Sequence, residues 1–230
     1  MTRVGVVTGL VAEARLFRRL AGSADGNSPL IACVGPGRGR QGAEDLLLRG
    51  ADALVSFGLA GGLDPWLKPG DLVCPDRVLA GDGTSLATDT LWRDRILAEA
   101  RMSGLDTADG ALLGSDHPVT DPEEKHRIAH ESGAVAVDME SHCVAAVAAE
   151  RDVPFVVLRA IADTAERALP PAALKGLDAE GRVRRAPVIW ALCRSPGQLP
   201  EMIGLARDSR AGMAALGRAA GLGSLVLGLI

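Results

Sequence analysis

Short apolar runs alternate with amphipathic segments along most of the chain. Near the N-terminus, "RVGVVTG" has the composition of a buried strand. "LVAEARLFRRLAG" follows it with apolar positions at helical spacing and ends at Gly22. Further runs such as "PLIACVG" and "VVLRAIAD" are rich in β-branched residues and alternate with helical stretches. This alternation is typical of parallel strands joined by crossover helices, so the pattern predicts an α/β fold.

The same pattern predicts where the main elements lie. Strands are expected over Val4–Thr8, Leu30–Val34, Ala53–Phe57, Asp71–Val78, Ala111–Gly114, Ala134–Met139 and Pro154–Ala162. One helix start is well marked, because Asp121 can cap it, Pro122 fits its first turn, and Glu124 can complete a capping box. Gly133 is expected to end that helix.

The pattern changes after the last predicted strand. The stretch "ALPPAALKGLDAEGRVRRAP" is rich in Pro, Gly and charge and contains no strand-like run, so it predicts a mobile loop. From about residue 186 the chain becomes helical again, and it ends in the apolar tail "LGSLVLGLI". A bilayer span needs roughly 20 apolar residues, so the tail is too short to cross a membrane. It either packs on the core or on a neighbouring subunit, or it touches a membrane surface.

Composition narrows the class of protein. With 230 residues and no abrupt change in composition, the chain is expected to form a single domain over residues 1–230. The net charge of −4 is spread over interspersed charges of both signs. It provides no basic stripe for nucleic acid and favours a small-molecule enzyme. The four cysteines form no C-x-x-C pair, and no secretory leader precedes the first strand, which indicates the cytoplasm.

Two carboxylates stand close together in "AVDMES". Asp138 and Glu140 are two residues apart at the end of a predicted strand. Both should therefore project from its carboxyl end, where ligands bind in parallel sheets, with Met139 between them. Alternatively, one of the acids caps the helix that begins at Ser141, which would explain one carboxylate but hardly both.

A second pair of charges interrupts the apolar run "VVLRAIADTAE". Burying the charges of Arg159 and Asp163 in a strand costs free energy unless each is paired with an opposite charge or serves a function. An ion pair of Arg159 with Asp163 or with Glu140 is the structural explanation, and it is compatible with a functional one. Because burial raises the pKa of a carboxyl group, Asp163 could keep a proton at neutral pH and act as a proton donor.

Two glycine-rich stretches follow predicted strands. Gly58, Gly61 and Gly62 predict either a structural turn or a close approach of the backbone to a ligand. "GPGRGRQG" has dinucleotide-binding spacing, but no acidic residue follows about 20 positions later to hold a ribose, which argues against a dehydrogenase. Arg38 and Arg40 in this stretch remain candidates for binding an anion.

The histidines give no metal site. His126 and His130 lie four residues apart on one predicted helix, but their charged neighbours favour a solvated helix face. We therefore predict no metal and no bound cofactor, with phosphate as a possible co-substrate.

Three stretches carry a resemblance to a known family: "GLAGGLDPWLKPGDLV", "VAVDMESH" and "PFVVLRAIADTA". In order and spacing they resemble the superfamily of nucleoside phosphorylases and 5′-methylthioadenosine/S-adenosylhomocysteine nucleosidases, from Val4 to about Ala165. Within it, "AVDMES" and "LRAIADTAERALPP" resemble the hopanoid-associated phosphorylases. The resemblance implies a three-layer α/β/α fold around a mixed central β-sheet, cleavage of the bond between ribose and base, and assembly into a homo-oligomer.

The resemblance also implies roles for individual residues. Asp163 matches the aspartate that donates a proton toward N7 of the purine, with Arg159 positioning it. Glu13 matches the glutamate that activates water in the nucleosidases. Met139 would pack beneath the ribose, and Glu140 would hold the ribose hydroxyls and stabilise positive charge on the sugar. The remaining expected substrate contacts are Asp138, Ala60, Gly61, Pro118 and Val119.

Two departures from the family pattern concern the phosphate pocket. Superfamily phosphorylases carry an arginine two residues before the glycine that matches Gly58 and a Ser or Thr just after it. This chain has Ser56 and Leu59 there. Either Ser56 and an arginine such as Arg38, Arg40 or Arg15 form the anion site, or water is the nucleophile.

The resemblance leads to a specific functional hypothesis. The expected reaction is cleavage of an adenine nucleoside with a large apolar 5′ substituent, of adenosylhopane type, releasing adenine in hopanoid biosynthesis. Two alternatives stay open. One is an ordinary 5′-methylthioadenosine/S-adenosylhomocysteine nucleosidase, and the other is a non-catalytic purine-nucleoside-binding protein. A lipid substituent would bring a possible peripheral contact with a membrane.

Overall fold

The computed structural model describes residues 2–20, 29–176, 178 and 180–227. In chain order the strands are β1 (Val4–Thr8), β2 (Leu30–Cys33), β3 (Ala53–Gly62), β4 (Leu72–Val73), β5 (Arg77–Leu79), β6 (Ser85–Ala87), β7 (Thr107–Ala108), β8 (Ala111–Gly114), β9 (Ala134–Asp138) and β10 (Phe155–Asp163). The α-helices are α1 (Val11–Leu20), α2 (Gly39–Leu48), α3 (Thr90–Met102), α4 (Pro122–Ser132), α5 (Ser141–Glu150), α6 (Pro171–Leu174), α7 (Arg185–Arg194), α8 (Leu199–Ala219) and α9 (Gly223–Leu227). A 3₁₀ turn, Pro196–Gln198, precedes α8.

The strands form one mixed sheet. Its order is β6-β5-β8-β9-β3-β10-β4-β7, with β1 paired to β3 and β2 paired to β1. The pairs β3–β9, β4–β10 and β5–β6 are antiparallel, whereas β1 and β10 both pair with β3 in parallel. Helices α1, α3 and α8 pack on one face, and α2 and α5 pack on the other. This arrangement confirms the predicted three-layer α/β/α fold with a mixed central sheet.

Alternate residues of the central strands supply two layers of core. In β10, Val156 and Leu158 pack with the helices of the first face, and Phe155 and Val157 pack with those of the second. This is the period of two expected of a strand that is buried on both faces. Arg159 has the same parity as Val157, so β10 directs its side chain toward α5.

Strand β3 is longer than predicted. The sequence predicts a strand that ends at Phe57, with the glycines after it either in a structural turn or at a close approach to a ligand, but β3 continues to Gly62 while paired with β10. The predicted strand end is therefore wrong and no turn forms at these glycines, of which Gly58 allows a close approach of side chains. A Cβ on Gly58 would lie 2.5 Å from Nη1 of Arg159 and 2.7 Å from Oε1 of Glu13, which is too close for any side chain.

The single strand predicted over Asp71–Val78 is also wrong. β4 pairs with β10 and β7, whereas β5 pairs with β6 and β8 on the other side of the sheet. Pro75 separates the two strands, and a residue without an N–H donor interrupts strand pairing. The pattern also misses the short strands β6 and β7. The other predicted strands agree with the structure to within one residue at each end.

Helix α4 begins and ends as predicted. The carboxylate of Asp121 accepts a hydrogen bond from the backbone N–H of Glu123 at 2.8 Å, and Gly133 adopts the left-handed conformation with φ 67°. A left-handed residue after the last helical turn is a common helix end, and glycine adopts it without strain.

The C-terminal part is more ordered than predicted. The segment expected to be a loop contains the short helix α6, and the helical segment predicted from about residue 186 corresponds to α7 and α8. Leu222 and Leu225 at the start of the apolar tail are buried in the core, which confirms core packing for these two residues. Gly22, expected at the end of α1, and tail residues 228–230 lie outside the described residues. No helix in the described part of the chain is long and apolar enough to cross a bilayer.

Candidate active site

A cavity of about 240 Å³ lies where β1, β9 and β10 end, above the glycine-rich half of β3. Nine of the residues predicted for the site line it: Glu13, Ala60, Gly61, Pro118, Val119, Asp138, Met139, Glu140 and Asp163. The remaining wall is mostly apolar and includes Leu10, Leu59 and Leu169, with His117 at its edge among the polar residues. The fold thus brings four carboxyl groups to one cavity.

Glu13 is held in the first turn of α1 by backbone donors. The N–H of Leu10 donates to its Oε2 and the N–H of Leu59 donates to its Oε1, both at 2.8 Å. The side chain is buried, and burial raises the pKa of its carboxyl group against the opposing effect of the nearby Arg159. A carboxylate with a fixed orientation and a raised pKa is suited to act as a general base.

Arg159 is buried among three carboxyl groups. Its Nη2 contacts Oδ2 of Asp138 and lies 3.4 Å from Oε2 of Glu140. The same nitrogen donates to Oγ of Ser56 at 2.7 Å. Glu13 is close enough to interact with the guanidinium by charge. One of the two ion pairs predicted for Arg159, that with Glu140, is therefore present, and Asp138 is a further partner.

Asp138 also has a structural task. Its carboxylate accepts hydrogen bonds from the backbone N–H of Ser141 at 3.2 Å and from Oγ of Ser141 at 2.5 Å, at the start of α5. This confirms that one of the two acids in "AVDMES" caps the helix. Glu140 makes no such cap bond, and its side chain lines the cavity.

The cluster around Arg159 has an excess of carboxyl groups. Burial, together with the charges of Asp138 and Glu13, raises the pKa of Glu140 to about 7, although Arg159 opposes the rise. Carboxyl groups with a pKa near neutrality are common at functional sites, where burial and nearby like charges destabilise the ionised form. This side of the cavity therefore disfavours further negative charge and favours a cation.

Asp163 is held by a different cation from the one predicted. Its Oδ2 pairs with Nζ of Lys125, which is completely buried in α4. The same ammonium donates to the carbonyl oxygens of Thr164 at 2.8 Å and Arg167 at 3.0 Å. The predicted ion pair of Arg159 with Asp163 is therefore not formed. Burial raises the pKa of Asp163, with the charge of Lys125 acting in the opposite direction.

Lys125 is not among the predicted site residues, because the charged neighbours of His126 and His130 favour a solvated face for this helix. One signal was available in the helix. Lys125 lies three residues before Ile128 and four before Ala129, which both pack against the core, so all three share one face. A lysine on the apolar face of a helix needs a buried partner, but its spacing does not show which acid that partner is.

None of the predicted anion ligands lines the cavity. Arg40 forms a salt bridge with Glu150 at 2.7 Å, and Ser56 is buried with its hydroxyl bonded to two neighbours. Arg38 is exposed at the N-terminal end of α2, and Arg15 lies on a separate surface depression beside α8. These side chains, as the structure places them, provide no cation inside the cavity for phosphate.

The described residues include no group of three or more His, Cys, Asp or Glu side chains that could hold a metal ion. On α4, His126 contacts Glu166 at 2.9 Å at the surface. The described lining of the cavity offers carboxyl groups, with two buried cations behind them.

Fold and site together define a class of protein: a three-layer α/β enzyme with an acidic cavity at the ends of its central strands. The chain belongs to the phosphorylase superfamily, whose family model matches residues 5–186. The match covers every carboxyl group of the cavity and Lys125.

Two kinds of relative are similar to the chain. It is 30% identical to the 5′-methylthioadenosine/S-adenosylhomocysteine nucleosidase of Mycobacterium bovis, over 63% of this chain and 73% of that protein. Its fold is similar to the nucleosidase of the same name from Neisseria meningitidis, solved in complex with methylthio-immucillin-A. That likeness has a TM-score of 0.71 at 20% identity and covers 96% of this chain and 97% of the other. A futalosine hydrolase mutant of Helicobacter pylori has a TM-score of 0.64 at 19% identity and covers 70% and 90%.

Proposed function

We propose that the protein cleaves the N-glycosidic bond of an adenine nucleoside and releases adenine. The observation that carries the proposal is that Asp163, Glu140 and Glu13 line one cavity. A proton donor for a leaving base, a negative group beside an electron-poor sugar and a base for a nucleophile are the three functions that this bond cleavage needs. The relatives' names agree with this reaction.

Asp163 is the proton donor in this proposal. Burial raises its pKa, so its protonated form, which can protonate N7 of the purine, persists to higher pH than that of an exposed aspartate. Protonation makes the base a neutral leaving group. Lys125 fixes Oδ2, which leaves the other carboxyl oxygen, Oδ1, to meet the base.

Glu140 and Glu13 act on the sugar side. As the glycosidic bond breaks, positive charge develops on the ribose, and the excess of carboxyl groups around Arg159 stabilises that charge more than it stabilises the neutral ground state. Glu140 also accepts hydrogen bonds from the ribose hydroxyls, and Glu13 removes a proton from the nucleophile. The logic resembles glycoside hydrolysis by two carboxyls with different environments.

Water is the nucleophile that the charges of the cavity favour. Four carboxyl groups line it, and neither Arg159 nor Lys125 belongs to its wall. A phosphate dianion placed between these groups would meet repulsion without an arginine to bind it. We therefore favour hydrolysis over phosphorolysis, even though the superfamily takes its name from the second reaction.

The proposed substrate has an apolar 5′ substituent, of adenosylhopane type. The leucines of the cavity wall would pack against an apolar substituent, and Leu169 directly precedes the Pro-rich segment beyond β10. The smaller substrates 5′-methylthioadenosine and S-adenosylhomocysteine are the alternative, favoured by the names of the relatives. Assembly into a homo-oligomer and a cytoplasmic location stay predictions.

Adenine release, followed by chromatography with each substrate in the presence and absence of phosphate, tests the proposal. We expect free ribosyl product and a rate that phosphate does not raise. A rate that requires phosphate would overturn hydrolysis but not the cleavage itself. Tight binding of adenosine derivatives without any release of adenine would show a binding protein instead. Competition between 5′-methylthioadenosine and a nucleoside with a long apolar 5′ chain would decide between the two substrate classes.

A further inference from the structure

One segment beside the cavity exposes apolar side chains to solvent. We call residues 170–203 the basic arm, which comprises α6, α7, the 3₁₀ turn and the start of α8. Of the eleven large apolar side chains that are exposed in the described residues, the arm holds six: Leu174, Val183, Ile189, Trp190, Leu199 and Ile203. Such a concentration in a short part of the chain indicates a surface that binds something apolar.

The arm also differs from the rest of the chain in charge. It contains five basic and three acidic residues and is therefore net positive, in a chain with a net charge of −4. The exposed guanidinium groups of Arg182, Arg184 and Arg194 have no carboxylate within 4.0 Å among the described residues. Arg194 lies over the ring of Trp190, with Cζ 3.7 Å from the ring centre. The arm therefore presents uncompensated positive charge together with apolar groups.

The arm adjoins the wall of the cavity. It begins directly after Leu169, which belongs to the cavity wall. In its middle, the carbonyl oxygen of Gly181 accepts a hydrogen bond from the backbone N–H of Val11 at 3.0 Å. The residues just before Val11, Gly9 and Leu10, line the cavity as well. A partner that binds the arm would thus lie beside the cavity.

We propose that the basic arm docks the protein on the surface of an anionic lipid bilayer. Arginine and tryptophan side chains with exposed aliphatic neighbours are the groups that hold a helix in the headgroup region, with the cations directed to anionic lipid. A second copy of the chain is the less suitable partner, because a two-fold contact through the arm would bring together two surfaces that are both net positive. Docking would hold the cavity beside the bilayer from which an apolar nucleoside would be taken.

Flotation of the purified full-length protein with vesicles tests the docking. One set of vesicles contains phosphatidylglycerol and phosphatidylcholine in equal parts, and the other contains phosphatidylcholine alone. We expect binding to the first set, weakening as salt is added, and little binding to the second. Since each cation near an anionic surface contributes about a fivefold factor, Arg182→Gln with Arg184→Gln should reduce the partition coefficient roughly 30-fold. Trp190→Ala should reduce it about tenfold.

Trp66→Ala is the matched control, because Trp66 is 85% exposed, more than Trp190 at 55%, and belongs to the loop between β3 and β4. This variant should bind anionic vesicles like the parent. The proposal is overturned if the parent does not float with anionic vesicles, if it binds both lipid sets equally, or if the arm variants bind unchanged. A dimer in sedimentation that dissociates on Trp190→Ala would assign the arm to a second copy.

The inference extends the proposed function but is measured separately from it. Vesicle binding requires no turnover, so an inactive protein that binds anionic vesicles would retain the docking and lose the proposed reaction. Conversely, the arm variants should release adenine from water-soluble 5′-methylthioadenosine at the rate of the parent, if that nucleoside is turned over, because none of the substituted residues lines the cavity. Unchanged thermal unfolding of the variants shows that the arm substitutions leave the fold intact.

Discussion

The cavity is supported by two buried cations that are balanced in different ways. Arg159 in β10 faces three carboxyl groups, those of Glu13, Asp138 and Glu140. Lys125 in α4 faces the single carboxyl of Asp163, and its other contacts are two backbone carbonyl oxygens. The first cluster has an excess of negative groups, whereas the second is one cation paired with one acid.

This difference separates two functions within one cavity. An excess of carboxyl groups attracts a cation, so the Arg159 cluster is suited to a sugar that becomes positively charged. A single balanced pair fixes the orientation of an acid without surrounding it with like charge, so the Lys125 pair is suited to a carboxyl that must meet one atom of a base. Variants that change one cluster and not the other should therefore produce different kinds of kinetic defect.

The largest effect is expected from Asp163→Asn. The amide keeps the shape and a contact to Lys125 but cannot transfer a proton, so kcat for adenine release should fall by about a thousandfold or more. Asp45→Asn, at an exposed position on α2, is the control and should leave kcat unchanged. Turnover of Asp163→Asn at the rate of the parent would remove the acid from the mechanism and leave Lys125 with a structural role only.

The overall fold could be predicted from local patterns. The run from Phe155 to Ala162 is apolar apart from one charge, and such runs alternate with helices, which is enough for an α/β fold. The division of the strand predicted over residues 71–78 was harder to predict. Its two halves pair with different strands, β10 and β8, which lie far away in the sequence. The continuation of β3 through glycine could not be read either, because it depends on side chains from α1 and β10.

The acidic residues of the candidate site could be predicted from a short motif or from the family resemblance. The acids at the ends of β9 and β10 were found from their spacing, and Glu13 was found from the resemblance. Which cation holds which acid was not predictable, because Lys125 and Asp163 are 38 residues apart and meet only through the packing of α4 on β9. Spacing along a chain shows which groups share a face but not which partner lies opposite them.

The Glu140→Gln variant tests the excess of carboxyl groups. It removes negative charge beside the sugar, so kcat should fall by about a hundredfold. In the parent, kcat/KM should rise with pH as this carboxyl ionises near its raised pKa of about 7, and the variant should lose that rise. Because neighbouring acids titrate together, the pH profile reports the cluster rather than one group. A rise of unchanged midpoint in the variant would assign the titration to another residue.

The Glu140→Gln substitution should raise the free energy of unfolding, although it lowers kcat. The pKa of Glu140 is raised in the folded protein, so its contribution to the free energy of unfolding is fully present below about pH 4.5 and is lost as the pH rises through about 7. Replacing it with Gln should therefore stabilise the protein at pH 8, by on the order of 2 kcal/mol, and do little at pH 5. Urea unfolding at both pH values measures the difference. A variant that is less stable at pH 8 would show that Arg159 needs this carboxyl as a partner.

The smallest effect on turnover is expected from Lys125→Met, which keeps most of the unbranched side chain but removes its charge. The positive charge of Lys125 opposes the rise in the pKa of Asp163, so its removal should raise that pKa further. The alkaline limb of the kcat profile, where the acid loses its proton, should then move to higher pH, while kcat at its maximum falls about tenfold because the acid is less firmly oriented.

Lys68→Met, at an exposed lysine, is the control and should change neither quantity. A fall in kcat without movement of the alkaline limb would mean that Lys125 orders the turn after β10 but does not act on Asp163. Lys125 would then differ from Arg159 in acting through packing and not through its charge.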